Sequence, residues 1–576
     1  MESPSTDPAS PGPRAAAAEE AQSPAPAEAF YIGEGDDDAP SVQAEESLTE
    51  YVDRALEMAG GAGRFQWRYT ALLTLPWLAA GLQTMAHVFT TMPVHRRRSC
   101  HQHADICDLA PLLDEDCSVA RGDYEFTMPE HSVVADFDLV CEAAVYVPLL
   151  GTTFFLGFLL GVTTLGALAD SRGRRLAYLL SLILFQVGAL IAVFAPTYPV
   201  YSFARFVTGF GNGGMGLCSY VWNAEVLGPQ VRSVMVVVSN TGFALGVVLL
   251  SPISYCLPQW RWLSGALFAL GLPLFGVYLL LESPMWLAAN GRAEELESVL
   301  CRVAEVNGRP RPPHPPKPRE DGRGQRGAKG QASAAQTIRQ LALDARLSRR
   351  FHVMCLCWFS ASLGYYGISM NASHLGGSIY LASALSALVE LPAYVVATYT
   401  VDASWAGRRG STGCGLLVGG LSCVLCVAAV GPPEEGPGAG LLALVFAGKF
   451  SVALAFAVLY LYAAELFPTD MRSQSMGLQS LAARLGGMLA PIVADLGRTS
   501  QALPLFLFGA PCVAAGLLLS GLPETRGQPM ANSAGDLLPP ERWPCATLCS
   551  RRYQELEEDS QKSKAQPPPA RIGNAM

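Results

Sequence analysis

Four ionisable side chains lie inside stretches that are otherwise apolar: Arg205, Glu390, Lys449 and Arg484. A charge at bilayer depth costs at least about 2.5–3.5 kcal/mol, so each of them calls for a partner or a task. A guanidinium grips a carboxylate through two parallel hydrogen bonds. A carboxylate such as Glu390 can face an ammonium, and the rings of Trp358, Tyr365, Tyr366 and Tyr394 offer cation-π contacts to a quaternary one. Arg484, Glu390, Lys449 and these four aromatics are therefore the candidate substrate-binding residues, and holding both ends of a small charged solute is the chemistry they imply. The bland alternatives are that Arg484 neutralises Glu390 and that each aromatic packs as ordinary helix core. Trp222 and Asn223 are weaker candidates.

A second set of charges recurs in order in the two halves of the chain. Asp170, Gly173, Arg174 and Arg175 are echoed by Asp402, Gly407, Arg408 and Arg409. Glu225 and Arg232, with Pro229 between them, are echoed by Glu465 and Arg472 with Pro468, and Leu281-Glu282-Ser-Pro284 by Leu522-Pro523-Glu524-Thr525. Each pattern falls at one end of a corresponding apolar segment. Carboxylates and guanidiniums so placed form charge-assisted bonds, and the ten residues from Asp170 to Arg472 read as a gate that holds the halves together in one state and releases them in another. The alternative reading is that they only fix topology.

Other signals point away from cofactors and catalysis. Gly209, Gly211, Gly213 and Gly214 lie in an apolar segment, where small residues serve close helix packing rather than phosphate binding. His101 and His103 stand beside cysteines that pair more readily with each other than with zinc in an oxidising compartment. No metal or other cofactor is implied, and no catalytic constellation marks an enzyme. Cys100, Cys107, Cys117 and Cys141 share one polar loop, where four cysteines allow three disulfide connectivities.

The elements that carry these residues follow from composition. Half of the 576 residues are apolar and 15% are charged, against about a quarter charged in soluble domains. Twelve apolar segments, each about the 20 residues a bilayer core requires of a helix, run from residues 67–90 to 503–522. The expected architecture is an all-α membrane protein: a disordered cytoplasmic tail (1–66), a six-helix half (67–281) with an outside loop (91–144), a central cytoplasmic loop (282–350), a second six-helix half (351–522) and a cytoplasmic tail (523–576). Arginines in the 170–175 turn and in the central loop place both inside, and the first span acts as the insertion signal.

These motifs resemble those of the major facilitator superfamily, and in detail those of its organic cation, organic anion and carnitine transporter family (solute carrier family 22), over residues 60–530. The resemblance is carried by the cysteine-bearing loop, by Asp138-Leu-Val-Cys141, by Glu465-Leu-Phe-Pro468-Thr-Asp-Met-Arg472, by Leu375-Gly-Gly-Ser-Ile-Tyr380, by Leu388-Val-Glu-Leu-Pro-Ala-Tyr394 and by Ala483-Arg-Leu-Gly-Gly487. Arg205 to Met215 and Tyr365 to Ser369 look most like the zwitterion branch, near the carnitine and ergothioneine transporters. The resemblance implies a multi-pass plasma-membrane transporter of organic cations or zwitterions working by alternating access, with sodium or protons as a possible coupling ion and no nucleic-acid partner. Cation-preferring relatives carry an acid where this chain has Arg484, and anion- and carnitine-type relatives an arginine. An organic anion exchanger and a non-transporting receptor or scaffold are the alternatives. The outside loop departs from the family pattern in lacking an N-glycosylation sequon.

Overall fold

A computed structural model of the chain describes residues 48–98, 117, 124–228, 231–315, 334–371, 378–429, 438–468, 471–498, 500, 502–528 and 531. Twelve bundle helices follow the apolar segments. The first half comprises α2 (Arg64–Thr90), α3 (Tyr146–Arg172), α4 (Arg174–Val193), α5 (Tyr198–Val226), α6 (Arg232–Cys256) and α7 (Trp260–Gly271, extended as a 3-10 helix through Leu279), after a shorter α1 (Leu48–Met58). Between the halves lie α8 (Pro284–Ala289), α9 (Ala293–Asn307) and α10 (Ala334–Leu343). The second half comprises α11 (Ala345–Asn371), one span broken into α12 (Ile379–Leu388) and α13 (Glu390–Thr400), then α14 (Gly407–Ala429), α15 (Ala439–Leu466), α16 (Arg472–Asp495) and α17 (Ala502–Leu519).

Among the described residues, nine spans are long and apolar enough to cross a membrane. Helices α5 and α16 are as long but carry the polar residues Arg205, Asn212 and Asn223, and Arg472, Gln479 and Arg484. Such residues are tolerated where they face the bundle interior. The antiparallel pair Arg96–Arg98 and Tyr124–Phe126 stands in the loop after α2, and a disulfide joins Cys117 to Cys141. Cys100 and Cys107 lie outside the described residues. The end of the bundle that carries this loop is called the loop end below, and the end that carries Asp170 and Asp402 the motif end.

Close helix packing explains the glycines of α5. A Cβ on Gly209 or Gly213 would strike the carbonyls of Phe154 or Phe158 on α3, and one on Gly157 or Gly161 of α3 would strike those of Phe206 or Phe210 on α5. The two backbones thus touch through a small-residue face.

Order begins earlier than expected. The stretch 1–66 reads as an unstructured tail, yet α1 lies within it, because Tyr51, Val52, Ala55 and Leu56 give it an apolar face that buries against Leu287, Leu296, Leu300 and Val303 of α8 and α9. The central loop is likewise helical over α8, α9 and α10. Asn307 fastens the assembly: its side-chain oxygen accepts from the Phe65 N–H at 2.9 Å, and its amide donates to the Ala59 carbonyl at 2.8 Å and to Gln66 at 2.9 Å.

Candidate functional site

The repeated charges build two matching clamps at the motif end. Gly173 turns the chain from α3 into α4 with φ +104°, and Gly407 turns it into α14 with φ +65°, conformations that favour glycine. The first N–H groups of the following helix then receive a carboxylate. Glu282 accepts from the N–H groups of Arg174 (3.1 Å) and Arg175 (3.2 Å), and Glu524 from those of Arg408 (2.9 Å) and Arg409 (3.0 Å). Unpaired N–H groups and the helix dipole both favour an anion there.

The arginine that follows each turn reaches two acids. Arg174 contacts Asp170 at 2.5 Å and Glu225 at 2.7 Å, and Arg408 contacts Asp402 at 2.9 Å and Glu465 at 3.1 Å. Arg175 and Arg409 donate to the carbonyls of Tyr278 (2.7 Å) and Leu522 (3.0 Å). Every one of these bonds closes inside its own six-helix half. In this conformation each central arginine is thus held by two acids of its own repeat, the arrangement expected of the gate in its released state. Arg472 of the gate set is half-buried, and its Nε and Nη2 find no hydrogen-bond partner among the described residues. The side chain of Arg232 lies outside the described residues.

Two of the mid-span charges meet inside the second half. Lys449 on α15 and Glu390 on α13 form an ion pair at 2.8 Å, with 0% and 2% of their side chains exposed. Glu390 also accepts from the Tyr365 hydroxyl at 2.7 Å and from the Tyr394 hydroxyl at 3.0 Å. The Lys449 ammonium donates further to the Tyr365 carbonyl at 3.1 Å and the Ser369 hydroxyl at 2.6 Å, and stands 3.3 Å from the centre of the Tyr365 ring. Each charge is thereby satisfied by its neighbours, as burial requires.

Arg484 takes no part in this pair, so the reading in which it neutralises Glu390 does not hold here. Its Nη1 donates to the Ser480 carbonyl one turn back at 2.8 Å, and also to the Ser480 hydroxyl. Its guanidinium lies 5.3 Å from the Phe158 ring centre. Its Nε has no partner among the described residues. Arg205 resembles it in the first half: 3% exposed, it lies 4.5 Å over the Phe154 ring and donates to the Gln83 carbonyl at 3.2 Å, with Nε and Nη2 unpaired among the described residues.

The aromatics form one connected wall. Trp358 meets Tyr460 at 4.4 Å and Phe456 at 5.8 Å, and Tyr365 meets Tyr366 at 5.1 Å. Tyr366 touches Phe155 of the other half at 4.8 Å, and Tyr220 approaches Tyr460 across the halves at 6.5 Å. The Trp358 indole N–H donates to Gln479 at 3.1 Å. Phe155, Tyr220, Phe456, Tyr460 and Gln479 were absent from the candidates read from sequence. Phe456 and Tyr460 had a signal there, since they follow Lys449 by seven and eleven residues on one helix face. Toward the loop end the halves are sealed: Gly151 packs on Pro491, Thr152 donates to the Met488 carbonyl at 3.0 Å, and Phe89 stacks on Tyr380 at 5.7 Å.

Two six-helix halves with matching end clamps and a charged aromatic interior between them define a membrane carrier of the major facilitator type. The fold agrees with solved structures of the E. coli xylose transporter XylE: its inward-open form superposes with a TM-score of 0.57 at 16% identity, covering 81% of this chain and 98% of that one. The family model described as "Sugar (and other) transporter" matches residues 79–534. A "Solute carrier family 22 member 15-like" protein of Xenopus laevis is 32% identical over 85% of this chain and 96% of its own length. Human "Organic anion transporter 3" is 27% identical over 92% of this chain and 100% of its own. The chain belongs to the sugar (and other) transporter family of major facilitators and, within it, to solute carrier family 22. It is an integral multi-pass transporter of small organic solutes and not an enzyme.

Proposed function

We propose that this transporter carries organic anions that bear a carboxylate, held between the halves by Arg484 and exposed alternately to the two sides of the plasma membrane. The motif end faces the cytoplasm, as its arginines favour. The observation that carries the reading is a charge balance. Glu390, the acid at mid-span, is neutralised by Lys449 and two tyrosines, whereas Arg484 and Arg205 have no acidic partner among the described residues. The interior thus has surplus positive charge and unused guanidinium donors, the chemistry of carboxylate recognition. The relative named for organic anions points the same way.

A zwitterion such as carnitine or ergothioneine is the second reading, favoured by the aromatic wall of Trp358, Tyr366 and Tyr460, whose faces suit a quaternary ammonium. Its weakness is that Lys449 already occupies the Tyr365 ring face and the Glu390 carboxylate. Uptake of labelled 2-oxoglutarate, carnitine, ergothioneine and tetraethylammonium into cells with confirmed surface expression separates the readings. Uptake of the anion above that of the other three supports the first; preference for tetraethylammonium overturns both.

A further inference from the structure

Glu390 lines a small cavity on the loop-end side of its pair with Lys449, about 10 Å³, and a space of that order holds about one water. Ser369 of α11 and Ser383 and Ser386 of α12 supply its other polar walls. Ser383 and Ser386 are 6% and 3% exposed, and neither hydroxyl has a hydrogen-bond partner among the described residues. Buried hydroxyls left open by the protein are commonly completed by ordered water. Counted from Ile379, the two serines stand about one and two turns into α12, and Glu390 about one turn beyond. They make a polar track from the loop end to the carboxylate through a helix that is otherwise apolar.

The ligand of this track follows from the charges that face Glu390. Lys449 approaches from α15, Tyr365 and Tyr366 from α11, and Tyr394 from its own helix. The cavity walls from α2 and α6 are apolar, among them Phe89 and Val247. Four oxygens from three serines and a carboxylate resemble a sodium site. The ammonium of Lys449, however, already lies 2.6 Å from Ser369 and 2.8 Å from Glu390, and a second cation there is repelled at close range. Water and a proton fit; a metal cation does not.

We propose that Glu390 is the protonation site of a proton-coupled cycle and that protons reach it from the loop end along Ser383 and Ser386. A hydronium arriving along the track gives its proton to a carboxylate oxygen of Glu390: one O–H bond of the hydronium breaks, one O–H bond forms on the carboxyl, and a neutral water is left. Neutral Glu390 no longer serves as counter-ion to Lys449, whose ammonium becomes available to the solute carboxylate held at Arg484. Loss of the proton on the cytoplasmic side restores the Lys449–Glu390 pair and expels the anion. This mechanism rests on the anion reading above.

The test uses cells expressing the full chain and two anions that do not cross bilayers unaided, 6-carboxyfluorescein and labelled 2-oxoglutarate. Accumulation under an inward proton gradient is compared with exchange of labelled for unlabelled anion at equal pH, which needs no coupling. In the wild type the gradient raises accumulation, with a limit of about tenfold per pH unit for one proton per anion. The stimulation disappears in Glu390→Gln and returns in Glu390→Asp, which keeps a titratable acid. A Ser383→Ala/Ser386→Ala double variant lowers the ratio of gradient-driven uptake to exchange, and this readout stands even if Glu390→Gln fails to reach the membrane. Exchange without any effect of the proton gradient, driving by a sodium gradient instead, or persistent stimulation in Glu390→Gln overturns the proposal while leaving the anion reading intact. Absence of exchange with both anions overturns the two together.

Discussion

Lys449 and Glu390 meet at 2.8 Å across α15 and α13, almost wholly removed from solvent. Two opposite charges in such a place depend on each other. Removing one partner of a buried pair typically costs about 3–5 kcal/mol, because the other is left charged and unmatched. Lys449→Met and Glu390→Gln are each expected to lower the thermal stability of the purified protein, and the double variant by clearly less than the sum. Additive effects in this double-mutant cycle would show that the two side chains are not coupled.

The clamp turns give a second expectation. At Gly173 and Gly407 an added Cβ meets both a positive φ and the carboxylate of Glu282 or Glu524. Gly173→Ala and Gly407→Ala are expected to cost at least about 1–2 kcal/mol each. Gly216, with nothing within 4 Å of an added Cβ, supplies the control. Thermal unfolding in detergent checks the contrast; equal tolerance at all three positions would contradict the clamp geometry.

Asn307 ties α9 to the start of α2 through two hydrogen bonds and to Ala59, just past α1, through a third. Asn307→Ala leaves the Phe65 N–H and Gln66 without these partners, a loss of about 1–3 kcal/mol for each buried group stranded. Limited proteolysis should then cut sooner between α1 and α2 than in the wild type. An unchanged digestion pattern would mean that the apolar face of α1 suffices to hold it.

Much of this arrangement was legible in the sequence. The matched charges, from Asp170 and Asp402 to Glu282 and Glu524, predict a duplicated bundle because each recurs in order, and the structure gives the two copies the same bonds. Helix ends fell within a few residues of expectation because apolar length is set by the membrane. The partner of Glu390 was not legible, since Lys449 is distant in sequence and meets it only through the crossing of two helices. The ordering of α1 was hidden by the Ala- and Pro-rich stretch before it. Its apolar residues gain meaning only against α8 and α9. The direction in which the clamps bond also escaped sequence reasoning, because spacing shows which charges are available but not which half they close.

The central claim is that Arg484 receives the carboxylate of an anionic solute, and charge replacement at that position tests it most directly. Uptake of 6-carboxyfluorescein and labelled 2-oxoglutarate is measured for wild type, Arg484→Lys and Arg484→Asp at matched surface expression. A charge-assisted hydrogen bond is worth about 1.5–3 kcal/mol, so Arg484→Asp should lower anion uptake by at least about tenfold, with Arg484→Lys retaining part of it. Undiminished anion uptake in Arg484→Asp would contradict the account.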